Sequence, residues 1–229
     1  ASLGQYIYTI KGDTLYIHQY IDNASNMEID GDDIRIIQKT DYPWDENINV
    51  ELALQGEKEF TLAFRIPGLC KNPQIYINDQ VVDLYSNMEN GYAMLSRSWK
   101  DGDVIQILLP MEVLKMRSNP SVRENIGRVA LQCGPIIYCL EEVDNGSDLH
   151  EVRLPLDAQF DIKFEEDLLG GVSIIEVDAE RVAKKWEERT LYSSDNDIQY
   201  TPSKLTFVPY YAWDNRSMGE MLVWIREEQ

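Results

Sequence analysis

The sequence predicts an all-β protein built from two tandem antiparallel β-sandwich domains of jelly-roll-like type. Three observations predict it. Apolar residues recur with period two, as they do in a strand that buries one face, because successive side chains point to opposite sides of the backbone. Clusters of Gly, Asn, Asp and Pro interrupt these runs at short spacing, which suits a sandwich rather than alternating strands and helices. Finally, 229 residues of 44% hydrophobic content can bury one large core or two modest ones, and two domains of about 100–120 residues each fit the usual domain size better.

The first domain is expected over residues 9–118. Ile48, Val50, Leu52 and Leu54 alternate with Asn49, Glu51, Ala53 and Gln55, and Phe60, Leu62, Phe64 and Ile66 alternate with Thr61, Ala63 and Arg65. Residues 55–59 between them have the polar, Gly-containing composition of a hairpin connection, so the two runs are expected to pair with each other. Shorter strands are expected at 15–21, 34–39, 74–77, 92–95 and 104–109, separated by Gly12-Asp13, Gly31-Asp32, Pro67-Gly68, Asn78-Asp79, Asn90-Gly91 and Asp101-Gly102.

A polar bend at 117–121 leads into the second domain, 119–229, with strands at 129–140, 160–164, 172–177, 205–209 and 221–225. Gly134-Pro135 falls inside the first of these. Because proline has no N–H for a ladder, that strand is expected to bulge, bend or lie at an edge. Only residues 178–190 hint at a helix, through Val182 and Trp186 four apart, and 192–203 read as a loop.

The formal charge of −19, from 40 acidic and 21 basic residues, argues against nucleic acid and anionic membrane partners, both of which need clustered Lys and Arg. The chain opens at Ala1 without Met or an apolar leader, and Ala1 is expected to be a cut within a longer gene product. Cys70, Cys133 and Cys139 form neither an even disulfide framework nor a paired metal motif, so they read as small buried residues in a reducing, cytoplasmic setting.

No catalytic constellation emerges from the residues. A nucleophile elbow is lacking, His18 and His150 stand apart from any Ser or Cys partner, and no Gly-rich loop joins a strand to a helix; Gly170-Gly171 reads as a hairpin turn. Asp30-Gly31-Asp32-Asp33 could offer oxygens to calcium but lacks the spacing of a calcium loop, so a turn between strands is expected. No metal ligand is therefore expected in this chain. Tyr42, Trp44 and Asp45 are sharper candidates, since aromatic faces stack on sugar rings and a carboxylate accepts their hydroxyl hydrogens. The same residues could equally anchor one domain against another, and so could Tyr210, Tyr211 and Trp213.

Five segments, taken in order, resemble one family. They are residues 1–8, Asp41-Tyr42-Pro43-Trp44-Asp45, Phe64-Arg65-Ile66-Pro67-Gly68, residues 129–141, and 210–216 with Gly219-Glu220-Met221. The chain resembles the C-terminal part of glycoside hydrolase family 127, the β-L-arabinofuranosidase-like enzymes. That resemblance implies a helical catalytic domain upstream, with a cysteine nucleophile and a zinc held by cysteines and a glutamate. Residues 1–8 would be the end of that domain, the rest its two β-sandwiches, and zinc would be expected only in the helical part. None of the three cysteines here matches the family's nucleophile or ligands, so no catalytic residue is assigned. Leu69 and Cys133 depart from the family pattern, which commonly has Trp and Arg there.

The expectation is therefore a non-catalytic β-sandwich portion of a glycoside hydrolase. Its partner would be the helical domain of the same protein, with a further contact to carbohydrate or to a second copy of the chain. The alternative is an independent carbohydrate-binding module using Tyr42, Trp44 and Asp45.

Overall fold

A computed structural model describes residues 2–183, 192 and 198–228. The chain divides into two compact units, Ala1–Met111 and Glu112–Gln229, so the 117–121 bend lies inside the second. Both are built from β-sheet, as the residue pattern predicts.

In the first unit a single 3-10 turn, Leu3–Tyr6, precedes strands β1 (Tyr8–Lys11), β2 (Thr14–Ile17), β3 (Asn23–Ile29), β4 (Asp32–Thr40), β5 (Asn47–Leu54), β6 (Glu57–Arg65), β7 (Gln74–Ile77), β8 (Gln80–Val81), β9 (Met88–Glu89), β10 (Tyr92–Lys100) and β11 (Val104–Leu108). They form a five-stranded sheet, β1-β2-β6-β10-β9, and a six-stranded sheet, β3-β4-β5-β11-β7-β8. Every pair is antiparallel except β2 with β6.

The pairing expected between residues 48–54 and 60–66 does not occur. Strands β5 and β6 both form, but β5 bonds to β4 and β11 in one sheet while β6 bonds to β2 and β10 in the other. Gly56, at φ 75°, helps turn the chain from one layer to the next, so this link is an arch rather than a hairpin. Period-two patterning specifies which face is buried but not which neighbour supplies the hydrogen bonds. The apolar stripes Ile48, Val50, Leu52 and Phe60, Leu62, Phe64 end in one core cluster with Leu15, Ile17, Ile36 and Trp99. A true hairpin joins β3 to β4 through Asp30 (φ 50°) and Gly31 (φ 83°), where the sequence predicts a turn.

The second unit contains β12 (Val113–Met116), β13 (Arg128–Cys133), β14 (Ile136–Glu141), the one-turn α1 (Glu142–Asn145), β15 (Val152–Leu154), β16 (Phe160–Glu165), β17 (Val172–Val182), β18 (Tyr200–Pro209), β19 (Met221–Leu222) and β20 (Ile225–Glu227). Their ladder runs β12-β13-β20-β15-β17-β18-β14-β19, with β16 beside β17, and it closes because β13 also pairs with β14. Gly134-Pro135 neither bulges a strand nor marks an edge. It is the two-residue turn of the β13–β14 hairpin, with Gly134 at φ 54° and Cys133 opposite Ile136.

The helical hint at 178–190 is overturned as far as Val182, because Asp178–Val182 continue β17 and pair with Tyr200–Lys204 of β18. Residues 184–190 lie outside the described residues. The same ladder makes strand of 200–203, which read as loop. Leu131, Tyr138, Leu140, Ile175, Leu205, Phe207 and Ile225 are buried in this unit.

Candidate functional site

In the first unit, the loop from β4 to β5 carries Tyr42, Trp44 and Asp45. Thr40 Oγ1 donates to the Asn47 carbonyl (2.8 Å) and accepts from the Tyr42 N–H (3.0 Å), closing the loop at its base. The Asp41 carbonyl accepts from the amides of Trp44 (2.8 Å) and Asp45 (3.2 Å). Asp45 Oδ1 takes both the backbone N–H (2.7 Å) and the side-chain amide (2.9 Å) of Asn47. The Tyr42–Pro43 peptide is cis.

These bonds give the three candidates different positions. Tyr42 packs edge-on to Tyr20, ring centres 5.8 Å apart, at the margin of the core, and burial raises its phenol pKa. It anchors the loop rather than presenting a ring face. Trp44 is 56% exposed, and Asp45 is exposed but committed to Asn47.

Beside this loop a groove of about 600 Å³ runs over β3, β4 and β5. Its lining is mixed: Ala24, Ile37 and Thr40 stand beside Asp22, Asn23, Gln38, Lys39, Asn47 and Asn49, together with Asp41 and Asp45 of the loop. Gln38 follows Ile34 and Ile36 on the inward side of β4 and is fully buried. Its Nε2 donates to Tyr8 Oη (2.7 Å) and to the Gln19 carbonyl (3.4 Å), and Tyr8 Oη donates onward to Asn23 Oδ1 (3.0 Å). Gln38 Oε1 is buried and accepts no hydrogen bond from the described residues. Neither Gln38 nor Asn49 is singled out by composition or motif. The available signal for Gln38 is the break it makes in the Ile34, Ile36 stripe.

In the second unit, the 3-10 turn Tyr210–Ala212 and the loop after it are latched to β14 and α1 by Arg216. Its guanidinium donates to Glu141 and to both carboxylate oxygens of Asp144, the Nη1–Oδ1 distance being 2.7 Å. Hydrogen bonding to Asp144, outweighing burial and joined by Glu141, raises its pKa far above the ordinary arginine value. Glu142 Oε2 accepts from Glu220 N (2.8 Å), and Glu220 Oε2 accepts from Leu149 N (2.8 Å). A Cβ at Gly219 would lie 2.9 Å from Glu142 Cβ, so a larger residue there forces a local shift. The latch holds Tyr210 and Trp213 stacked, ring centres 5.9 Å apart at 16°, with Tyr211 also exposed.

His18, Cys139 and Cys70 are poorly placed for nucleophilic chemistry. Both ring nitrogens of His18 are occupied, by Thr9 Oγ1 (2.7 Å) and Tyr92 Oη (2.8 Å), and burial, with the Arg65 charge, lowers its pKa. Cys139 is pushed up to about 12 by burial, then by Glu141, so it is a thiol at neutral pH. Burial and Glu46 raise Cys70 as well. Among the described residues no three His, Cys, Asp or Glu side chains converge as a metal site. No helix among them is long and apolar enough to cross a membrane.

Residues 14–111 match the family model described as "Beta-L-arabinofuranosidase, GH127 middle domain", and residues 113–226 match "Glycoside hydrolase family 127 C-terminal domain". The chain belongs to glycoside hydrolase family 127. Within this family it is 32% identical, over 99% of its length, to the non-reducing end β-L-arabinofuranosidase of Bifidobacterium longum subsp. longum, covering 35% of that protein. It superposes with a TM-score of 0.96 and 42% identity on a family 127 β-L-arabinofuranosidase from Geobacillus stearothermophilus, covering 99% of this chain and 36% of the other. A second family 127 β-arabinofuranosidase gives a TM-score of 0.87 at 32% identity, covering 99% and 37%. The chain thus spans about a third of the length of these relatives. The groove lies in the family's middle domain and the Arg216 latch in its C-terminal domain.

Proposed function

We propose that this chain is the non-catalytic β-sandwich portion of a β-L-arabinofuranosidase-like hydrolase and buttresses a helical catalytic domain of the same protein. The observation that carries this is the match of the whole chain to about a third of proteins named as arabinofuranosidases. It is supported by the chemistry of the residues: the thiols are shielded or raised in pKa, and His18 is fully engaged. The nucleophile and the zinc would then belong to the helical domain, with residues 1–8 leading out of it. Tyr210, Tyr211 and Trp213 are exposed aromatics on a rigid latch and are the proposed docking or cleft-rim residues. The free thiols suit a reducing cytoplasm.

An aryl β-L-arabinofuranoside assay with added zinc tests the proposal on this chain and on the gene product extended upstream of Ala1. Turnover is expected only from the extended form. Hydrolysis by the 229-residue chain itself would overturn the reading.

A further inference from the structure

We propose that β16 is the contact strand of a homodimer, in which two copies of the second unit pair edge to edge about a two-fold axis. Strand β16 bonds along one side to β17, from Phe160 opposite Val177 to Glu165 opposite Val172. Among the described residues no strand pairs with its other side. A free edge of this kind presents N–H and C=O groups without ladder partners, which is a template for another strand. Phe160, Ile162 and Phe164 alternate with Asp161, Lys163 and Glu165, so one face of the strand is apolar and the other charged. Ile162 and Phe164 are 46% and 65% exposed, on the same face as Ile175 and Val177 of β17, which are buried. The apolar face of this sheet therefore runs out to the open edge.

The charges on the edge decide what fits it, because they complement a second copy of themselves. Antiparallel pairing about an axis at Ile162 sets Ile162 opposite Ile162, Phe160 opposite Phe164, and Asp161 opposite Lys163 at two symmetry-related places. Apolar and opposite-charge pairs directly across an antiparallel ladder stabilise it, and like charges there destabilise it. Sliding the copies by two residues sets Asp161 against Asp161 in one direction and against Glu165 in the other. A slide of one residue lays the apolar face of one copy beside the charged face of the other, so a single register is specified. Lys163 is held within its own chain by Glu176, but Glu176 also accepts from Lys204 at 2.9 Å and stays paired when Lys163 turns across the axis. The formal charge of −19 on each copy opposes association, and screening over about 8 Å at physiological salt restricts that repulsion to groups near the contact. Since each copy spends its one β16 edge in the contact, the assembly closes at two.

The test is sedimentation velocity on the 229-residue chain. Between about 1 and 200 µM it is expected to show a monomer–dimer equilibrium with a Kd of about 10–100 µM, as suits a contact of one strand pair. Ile162→Lys sets two ammonium groups against each other at the axis and is expected to weaken association about tenfold or more. Asp161→Lys and Lys163→Asp are each expected to do the same alone, since each puts like charges at both opposed positions. An equimolar mixture of these two variants is expected to recover association, because two lysines of one then face two aspartates of the other. Circular dichroism is expected to be unchanged throughout. A chain that stays monomeric at about 200 µM, a dimer indifferent to Ile162→Lys, or a mixture that fails to associate would each overturn the proposal. So would hydrogen-exchange protection of residues 160–165 in a monomeric, upstream-extended protein, because another domain would then be the occupant. The proposal rests on this strand and not on the hydrolase reading, so the outcome of the turnover assay leaves these readouts unaffected.

Discussion

Replacing Arg216 with Met should destabilise the second unit by about 3 kcal/mol while leaving the first unchanged. The Glu141 side chain is 5% exposed and that of Arg216 17%, so the pair is largely desolvated. Removing the guanidinium strands a buried carboxylate that keeps only weak compensation from the Asp214 amide at 3.2 Å. Breaking a buried pair costs about 3–5 kcal/mol, and the residual exposure of Arg216 places this case at the lower end. Asp144, 19% exposed, adds little because water solvates it once released. Arg216→Lys keeps the charge but not the two-pronged fork and should lose about 1–2 kcal/mol. Hydrogen exchange by mass spectrometry resolves the units separately: peptides over 136–145 and 205–222 should exchange about a hundredfold faster, with 47–66 as internal reference. A loss below about 1 kcal/mol, or equal deprotection of 47–66, would refute the reasoning.

Other perturbations probe the same framework. Gly219→Ala forces a methyl against Glu142 Cβ, 2.9 Å away, and should cost about 1–3 kcal/mol and broaden the Trp213 emission by loosening the latch. Trp99 is fully buried and donates to the Phe60 carbonyl at 3.0 Å; Trp99→Ala should cost about 3–5 kcal/mol, read by urea unfolding as deprotection confined to the first unit. Burial opposes ionisation of Glu227, but Lys115 and Arg117 outweigh it and hold its pKa below the ordinary 4.5. A depressed carboxylate stabilises the fold above its unfolded pKa and loses that contribution as pH falls through the folded one, so acid should destabilise the second unit from just below pH 4.5 downward. Glu227→Gln should flatten that slope, and an unchanged acid limb in the variant would contradict the assignment.

The fold class was legible because period-two burial is a local property, and β4, β5, β7 and β11 lie within a residue or two of where alternation places them. Sheet membership was not. Residues 48–54 and 60–66 carry equally clear stripes, and nothing in a stripe distinguishes a hairpin neighbour from a strand facing it across the core. Strand β3, Asn-Ala-Ser-Asn-Met-Glu-Ile, escaped notice because only one of its seven residues is buried, leaving no apolar face to read. The candidate groove was half legible. The aromatic loop announces itself by composition, whereas Gln38 shows only as a polar break in an apolar stripe, and its bond to Tyr8 of the other sheet places it in the core.

The Tyr210–Met221 segment shows why a motif can identify a family without performing its chemistry. Asn215 Nδ2 donates to the carbonyls of Ala212 (3.0 Å) and Trp213 (3.1 Å), Arg216 uses its fork for Glu141 and Asp144, a Cβ at Gly219 would crowd Glu142, and Glu220 accepts from Leu149 N. Each residue type is dictated by a contact inside the second unit. The rings of Tyr210 and Trp213 stack on each other and stay partly exposed, 45% and 38%. Holding two large rings rigid and partly exposed spends stability without enlarging the core, but it lowers the ordering cost of any later association, since their rotamers are fixed beforehand. On the function proposed above, the polar latch supports this aromatic pair for docking.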